Sequence, residues 1–599
     1  MSCGQPLADA SETDQALQAR LLATAPAPLV DKMLAAKLSG ERKPVTALFA
    51  DVVGSTTLAE RMDPEDWTQL VNEAFELMSQ AVYRYEGTIA QLQGDAMLAF
   101  FGAPVAHEDD PERAILAALD MVAAIEEFAR QLKASHDFDF RIRAGLNTGP
   151  VVVGNVGNDL RYGYTALGDA MNVAARMQAA ADPGSVVVTD ATLRLAAGGF
   201  EVEDLGQIAV KGKSEPVHAY RVIAQRTVPG RRRGLERVGL DSPMVGRDEQ
   251  LEKLRSLFAI SAAGRGRVCF LVGEPGIGKS RLLAEFRRAA EAGPASDEAQ
   301  DGQSVTDGSR PAWVEGRCVS YGRNLPYHLL IDVVRSILGI PFVATEEDAR
   351  AALDRQLSEL VGTGEAGDIA PYLAHLLDLP LRPDETDRAR IEPDVMQGRY
   401  VASLVRLLRA LASRGPIVMV AEDLHWADPA SVEVLKQLLP LAAQLPVLVI
   451  AATRAETDTA GWALLAQARE LFGEALTEIR LDPLSEAESR DLVAHLLEIE
   501  SLPGAVRDLI LARAEGNPFF VEEVVRMLIE RGVIERRDDR WVANAEVGSV
   551  EIPETLHGLL LARIDQLPDD AKRSLRVAAV IGRQFPVRVL ERVLGARGE

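Results

Sequence analysis

Two acids in the first hundred residues offer the most specific chemistry of the chain. Asp51 ends the apolar run Val45-Thr-Ala-Leu-Phe-Ala-Asp51 and is followed by the small-residue turn Val-Val-Gly54-Ser55-Thr56-Thr57. A carboxylate at the exit of a buried strand takes a cation, and backbone N–H groups at a helix start take an anion, so the stretch suits a metal-bound polyphosphate. Taken alone, the same pattern also serves as a plain N-cap. Asp95 lies in Thr88-Ile-Ala-Gln91-Leu-Gln93-Gly94-Asp95-Ala-Met-Leu-Ala-Phe-Phe101, which reads as two short strands joined by a Gly-Asp turn. An ordinary turn accounts for this too. A hairpin tip that brings Asp95 beside Asp51, however, makes a carboxylate pair able to hold two divalent ions.

A third element agrees in order and spacing. In Tyr164-Thr165-Ala-Leu-Gly168-Asp169-Ala-Met-Asn172-Val-Ala-Ala-Arg176-Met, the amide and the guanidinium stand four apart, on one face of a helix. By itself such a pair is a solvated helix face. With the two acid motifs before it, the region resembles class III nucleotide cyclase domains. Phe49-Ala-Asp51-Val-Val-Gly54-Ser55-Thr56 and Gln93-Gly94-Asp95 look like that family's metal motifs, and 164–177 looks like the helix that carries its transition-state pair.

The resemblance implies two Mg2+ or Mn2+ ions per site on Asp51 and Asp95, with Gly54, Ser55 and Thr56 at the substrate. It implies that Asn172 orients the ribose and that Arg176 meets developing phosphate charge. Val210-Lys211-Gly212-Lys213 resembles the family's last hairpin, which gives Lys211 a phosphate contact. Base reading falls to Gln91 and Thr165. Here the chain departs from the family, which usually has Lys where Gln91 stands. A Gln both donates and accepts, so a purine edge can still be read and ATP is expected over GTP.

These side chains need a sheet to hold them. Helices over 64–85 and 111–133 and a strand over 140–149 alternate with the hairpin, implying an α/β sandwich of the ferredoxin-like kind. The family builds its sites between two such domains. One copy here carries both halves of a site, so a two-fold homodimer is expected to hold two sites.

A second nucleotide motif follows. Arg267-Val-Cys-Phe-Leu-Val-Gly273-Glu-Pro-Gly-Ile-Gly278-Lys279-Ser280 is a complete G-x-x-x-x-G-K-S between an apolar strand and a helix. Its N–H groups wrap a β-phosphate, Lys279 reaches the β/γ oxygens and the Ser280 hydroxyl ligates Mg2+. The strand ending in Glu422-Asp423 supplies two acids, one for the Mg2+ shell and one to orient water, with the assignment open.

Asp423-Leu-His425-Trp426-Ala-Asp428-Pro429, the strand ending in Thr453-Arg454, and Ser242-Pro-Met-Val-Gly246-Arg247-Asp248-Glu249 complete a resemblance to signal-transducing AAA-type ATPases. By that resemblance Arg454 falls at a γ-phosphate sensor and Pro483 at a proline that packs on adenine, although each also reads as a surface or turn residue. His425 and Trp426 read as structural.

The expected fold class is therefore α/β, a ferredoxin-like cyclase domain followed by a P-loop NTPase with a helical and winged-helix lid. The domains expected are an N-terminal helical extension over 1–40, the cyclase domain over 41–224, a Pro/Gly/Arg-rich linker over 225–241, the ATPase domain over 242–484, and the lid with the start of a winged helix over 485–599. A polar surface insertion is expected over 289–310.

Of 599 residues, 65 are basic and 89 acidic, a net charge of −24 that argues against nucleic acid as a partner. No stretch reaches the roughly eighteen apolar residues of a spanning helix, so no membrane is expected. Cys3, Cys269 and Cys318, far apart, fit reduced thiols in the cytoplasm. The reading is an adenylate cyclase converting ATP to 3′,5′-cyclic AMP and pyrophosphate, with a regulatory ATP-binding domain and protein partners at the C-terminal region. The alternative is an ATP-dependent signalling switch whose cyclase domain is inactive or makes cyclic GMP.

Overall fold

The computed structural model describes residues 41–60, 62–103, 105–133, 140–155, 164–167, 169–196, 199–209, 216–225, 244–292, 310–340, 346–383, 385–386, 393–497, 507–508, 510–511, 514–530, 534–537, 540–543, 564, 569–581 and 592. The expected segments at 1–40, 210–213 (with Lys211), 226–241 and 293–309 lie outside the described residues. The chain divides into two compact units, residues 1–226 with 551–599, and residues 227–550.

Strand β1 (Glu41–Val52) is the axis of the first unit. It pairs antiparallel with β3 (Ala96–Phe101) on one side and with β4 (Ile142–Asn155) on the other. With β2 (Thr88–Gln93), β6 (Val186–Thr189), β7 (Phe200–Ile208) and β8 (Val217–Gln225), the order is β2-β3-β1-β4-β6-β8-β7, and the short β5 (Tyr164–Leu167) pairs with β4. Helices α1 (Ser55–Ala59) and α2 (Pro64–Arg84) follow β1, and α3 (Asp110–Lys133) follows β3, which makes the ferredoxin-like arrangement. The start of α2 is legible in its residues: Asp63 accepts the Glu65 N–H at 2.9 Å and Pro64 takes the first helical position.

β1 is buried on both faces, which is why it reads as an unbroken apolar run. Val45 and Ala47 pack with Ala170 and Ala174 of α4 (Asp169–Ala180), while Leu48 and Ala50 are buried on the opposite face. Helix α4 lies directly on β4. A Cβ added at Gly145 would meet the Gln178 nitrogen at 1.8 Å, and one at Gly149 would meet the Ala170 Cβ at 3.1 Å. Between these glycines, Asn147 donates to the Ala170 carbonyl at 3.0 Å and accepts from the Thr189 hydroxyl at 2.8 Å. Thr189 also caps the short α5 (Asp190–Leu195).

The second unit is organised by a parallel sheet in the order β10 (Ala312–Arg317), β11 (Ile417–Glu422), β12 (Val447–Thr453), β9 (Arg267–Gly273), β13 (Leu476–Leu481). Covered on both faces, its central strands β11, β12 and β9 are near-continuous apolar runs, while the edge strands β10 and β13 carry Glu315, Arg317, Glu478 and Arg480. Leu254 and Leu257 of α6 (Asp248–Ala262) and Leu282 and Phe286 of α7 (Lys279–Ala292) pack on one face. The other face carries α8 (His328–Leu338), α9 (Glu346–Val361), α10 (Thr363–Leu376), α11 (Pro393–Ala412), α12 (Pro429–Leu438) and α13 (Ala460–Phe472). A smaller core joins α14 (Glu486–Leu497) to α15 (Pro518–Glu530), and β14 (Ile534–Arg537) pairs with β15 (Arg540–Ala543) in a hairpin. The last described helix, α16 (Asp569–Ile581), belongs to the first unit.

No helix among the described residues is long and apolar enough to cross a membrane. Cys269 and Cys318 are free and buried, and burial pushes the Cys269 thiol up to about 12.

The seat of α4 has a direct test. Gly145→Ala must push the helix off β4 and is expected to cost about 3 kcal/mol, read as a lower denaturant midpoint for the first unit in melts of the full chain.

Candidate functional sites

The register of β1 sets Asp51 opposite Ala96 of β3 and opposite Arg143 of β4. At the hairpin tip Gly94 takes φ +63°, and the chain folds back until the Val52 N–H donates to the Asp95 carbonyl at 3.3 Å. The two acids therefore stand at the same end of the adjacent strands β1 and β3, each half-buried. Immediately beyond, Gly54 at φ +68° turns the chain into α1, which begins with Ser55 and Thr56.

Arg143 went unrecognised in the sequence. Its Nε and Nη2 donate to the two carboxylate oxygens of Asp51 at 2.9 and 3.1 Å, and its Nη1 reaches the Ala179 carbonyl at 3.4 Å. That bidentate bond, with the charges of Asp51 and Asp95, overcomes partial burial and holds the guanidinium above its ordinary pKa. The available signal was an Arg between Ile142 and Ala144 in an apolar strand. Its partner could be named only once the β1–β4 register was known.

Among the described residues, no group of three or more His, Cys, Asp or Glu could hold a metal. A cation at Asp51 and Asp95 would take its remaining oxygens from backbone, water or a phosphate, a mixture that suits Mg2+.

The other expected residues are distributed over neighbouring elements. Asn172 and Arg176 are both exposed on α4, one helical turn apart. Gln91 is exposed on β2 opposite Leu98, beside an irregularity in the β2–β3 pairing between Ile89 and Gln91. Thr165 on β5 pairs with Gly154 of β4.

In the second unit, the loop between β9 and α7 carries Gly273, Gly278, Lys279 and Ser280, with Gly276 at φ +74° and Gly278 at φ +99°. Lys279 is buried, and its Nζ donates to the carbonyls of Gly273 at 2.7 Å and Glu274 at 3.0 Å. The Ser280 hydroxyl donates to Glu422 Oε2 at 2.5 Å, which joins the loop to the end of β11. Burial, with the charges of Asp423 and Glu315, pushes the Glu422 carboxyl up to about 7 against the opposing pull of Arg317 and Ser280. Asp423, at φ +54°, is held by Arg317 Nη2 at 3.3 Å. The two acids are thus distinguished by their partners.

β12 lies between β9 and β11 and delivers Thr453 and Arg454 to the same end of the sheet. The Arg454 guanidinium lies over the Trp426 ring, 5.0 Å from its centroid, which agrees with a structural part for Trp426. His425 has a different surrounding. It is 2% exposed, and neither ring nitrogen has a hydrogen-bond partner among the described residues. Burial first, then the charges of Arg454, Lys279 and Arg323, against the opposing pull of Asp423, push its pKa down to about 2 and keep the ring neutral. Pro483 is exposed, and its Cβ would lie 3.0 Å from a Cβ on Gly516.

Because the folded protein disfavours the Glu422 carboxylate, ionising it costs more folded than unfolded. Its contribution to stability should therefore fall as pH rises from 4.5 to about 7. Glu422→Gln should remove that decline, as read in denaturant melts of the nucleotide-free chain across the window.

Residues 39–224 match the adenylate and guanylate cyclase catalytic domain, residues 243–450 the AAA ATPase domain, and residues 485–541 a domain of unknown function. An uncharacterised protein of Rhizobium meliloti is 30% identical over 565 residues, covering 93% of this chain and 50% of the relative. Adenylate cyclase 1 of Rhizobium meliloti is 37% identical over 184 residues, 30% of this chain and 28% of the relative. The chain thus spans about half the length of the first relative and under a third of the second. The crystal structure of the adenylyl cyclase CyaB from P. aeruginosa is 35% identical, with a TM-score of 0.31, covering 32% of this chain and 100% of that one. The chain joins a class III nucleotide cyclase domain to an AAA-type P-loop ATPase domain.

Proposed function

We propose that the chain is an adenylate cyclase, converting ATP to 3′,5′-cyclic AMP and pyrophosphate at a homodimer interface under the control of a second ATP site. The observation that carries this reading is the placing of Asp51 and Asp95 at one end of the β1–β3 pair, with Arg143 of β4 bonded to Asp51. In the reaction the ribose 3′-oxygen bonds to the α-phosphorus, and the bond from that phosphorus to the bridging oxygen breaks. Pyrophosphate leaves, and the hydroxyl proton passes to water.

Asp51 and Asp95 would hold Mg2+ or Mn2+, which when bound supplies an acidified hydroxyl and neutralises phosphate charge. Arg143, already bridging to Asp51, is placed to exchange a carboxylate oxygen for a phosphate oxygen as the site fills. Asn172 and Arg176, exposed on α4, would serve the acid pair of a second copy, orienting ribose and stabilising charge, with Lys211 at the phosphates. Gly54, Ser55 and Thr56 line the turn beside the acids. Gln91 and Thr165 would read the purine. The name of the 37% identical relative supports adenine.

At the P-loop, Lys279 and Ser280 would bind Mg2+-ATP. Glu422, already bonded to the Ser280 hydroxyl, is the acid of the Mg2+ shell, which leaves Asp423 to orient water. Arg454 would sense the γ-phosphate, and the unpartnered neutral ring of His425 would face the same region. Buried free thiols and the nucleotide substrate support a cytoplasmic location. Protein partners would bind through the C-terminal region. Gln91, standing where the family carries Lys, favours a second reading in which the cyclase domain only binds nucleotide and the P-loop carries the signal.

Offered ATP and GTP together with Mn2+, the purified chain should make cyclic AMP. Asp95→Ala should lower the rate roughly 100-fold or more, and Lys279→Ala should still yield product. Cyclic GMP as the main product would overturn the base assignment, and no product from any dimer would favour the switch. The dimer has its own test. Mixed in equal amounts, inactive Asp51→Ala and Arg176→Ala chains should recover about one quarter of parental activity, since half the dimers then hold one intact site of two. No recovery after confirmed subunit exchange would exclude a shared site.

A further inference from the structure

Every P-loop carbonyl from Gly273 to Gly278 has a donor, and several donors come from outside the loop. Lys279 takes the first two carbonyls, and Gly278 accepts the Leu282 N–H at 3.0 Å as α7 begins. Arg247 Nη2 donates to the Ile277 carbonyl at 3.4 Å and to that of Asp482 at 2.6 Å. The remaining two belong to the segment that starts α15. Asn517 Nδ2 donates to the Pro275 carbonyl at 2.9 Å, and the Phe519 N–H donates to the Gly276 carbonyl at 3.3 Å. Because each peptide is planar, holding a carbonyl also holds the direction of the N–H across the same bond. Those N–H groups are what a P-loop presents to phosphate.

The segment that supplies these donors is itself fixed. Asn517 Oδ1 accepts the Phe519 N–H at 3.1 Å, and the Gly516 carbonyl accepts the Leu484 N–H at 2.7 Å. Gly516 takes φ +80°. The fit against the loop leaves no room for a side chain: a Cβ at Gly276 would meet the Phe519 Cβ at 2.7 Å and Asn517 Oδ1 at 2.9 Å.

We propose that Asn517 is a positioning residue of the ATPase nucleotide site. Its amide, carried by the helical segment after β13, locks the Pro275 peptide. Diphosphate affinity therefore depends on that segment being docked, and its departure releases nucleotide. The inference rests on the reading of 273–280 as a nucleotide site.

Two variants separate positioning from a merely structural part. Asn517→Asp keeps Oδ1 for the Phe519 N–H but turns a carboxylate oxygen toward the Pro275 carbonyl, whereas Asn517→Ala loses both bonds. Binding and release of a fluorescent N-methylanthraniloyl ADP by the full chain are the readouts, with thermal melts of the nucleotide-free protein beside them. Both variants should weaken affinity and speed release about tenfold, and the Asp variant should melt with the parent. If Asn517→Asp binds and releases ADP like the parent while Asn517→Ala does not, the residue only caps its helix and the proposal is overturned. If the parent binds no ADP, or Lys279→Ala binds it equally well, the nucleotide-site reading itself fails.

Discussion

A strand covered on both faces and paired on both sides has no freedom of register, and β1 is such a strand. Sliding it by one residue would turn Leu48 and Ala50 toward α4 and strand Val45 and Ala47 on the opposite face. The same restriction that keeps its core residues in place keeps Asp51 level with Ala96 and Arg143. Position at the first site is therefore a by-product of hydrophobic burial. The acids themselves repel each other, and it is the guanidinium of Arg143 and the main-chain bond from Val52 to Asp95 that make their closeness tolerable.

The second unit solves its positioning problem by strand order. Inserting β12 between β9 and β11 separates the phosphate loop from the acids by two strand spacings, about 10 Å, so the gap must be bridged by side chains. The Ser280–Glu422 bond spans it. The inserted strand supplies Thr453 and Arg454 between them, and the edge strand β10 supplies Arg317 to hold Asp423. His425, buried and without a bond at either nitrogen among the described residues, is one of the polar groups this arrangement leaves unsatisfied, as is the Thr453 hydroxyl.

Much of this was legible in the chain itself, where local chemistry and tertiary demand coincide. The apolar run before Asp51, the Gly94-Asp95 turn, the Asp63-Pro64 helix start and the 273–280 loop each carry their own signal, and each forms where the residues indicate. What escaped reading depends on register or on distant pairing. Arg143 is one arginine in a strand until β4 is laid against β1. Glu422 and Asp423 are two adjacent acids until Ser280 and Arg317 choose between them. Asn517 stands one residue before α15, and its bond to Pro275 joins residues 242 positions apart. Nothing local in sequence encodes such a pairing.

The bare seat under α4 limits how the first site can be retuned. Where most helices rest on interlocking side chains, this one meets β4 at Gly145 with main chain against main chain and at Gly149 through the Ala170 methyl, while Asn147 and Arg143 donate to its carbonyls. Core substitutions that enlarge or shrink a neighbouring residue have no knob there to turn, so the pitch and height of the helix cannot drift by small steps. Retuning of the first site is left to positions off that seat, such as the exposed Gln91 on β2, rather than to repacking beneath Asn172 and Arg176.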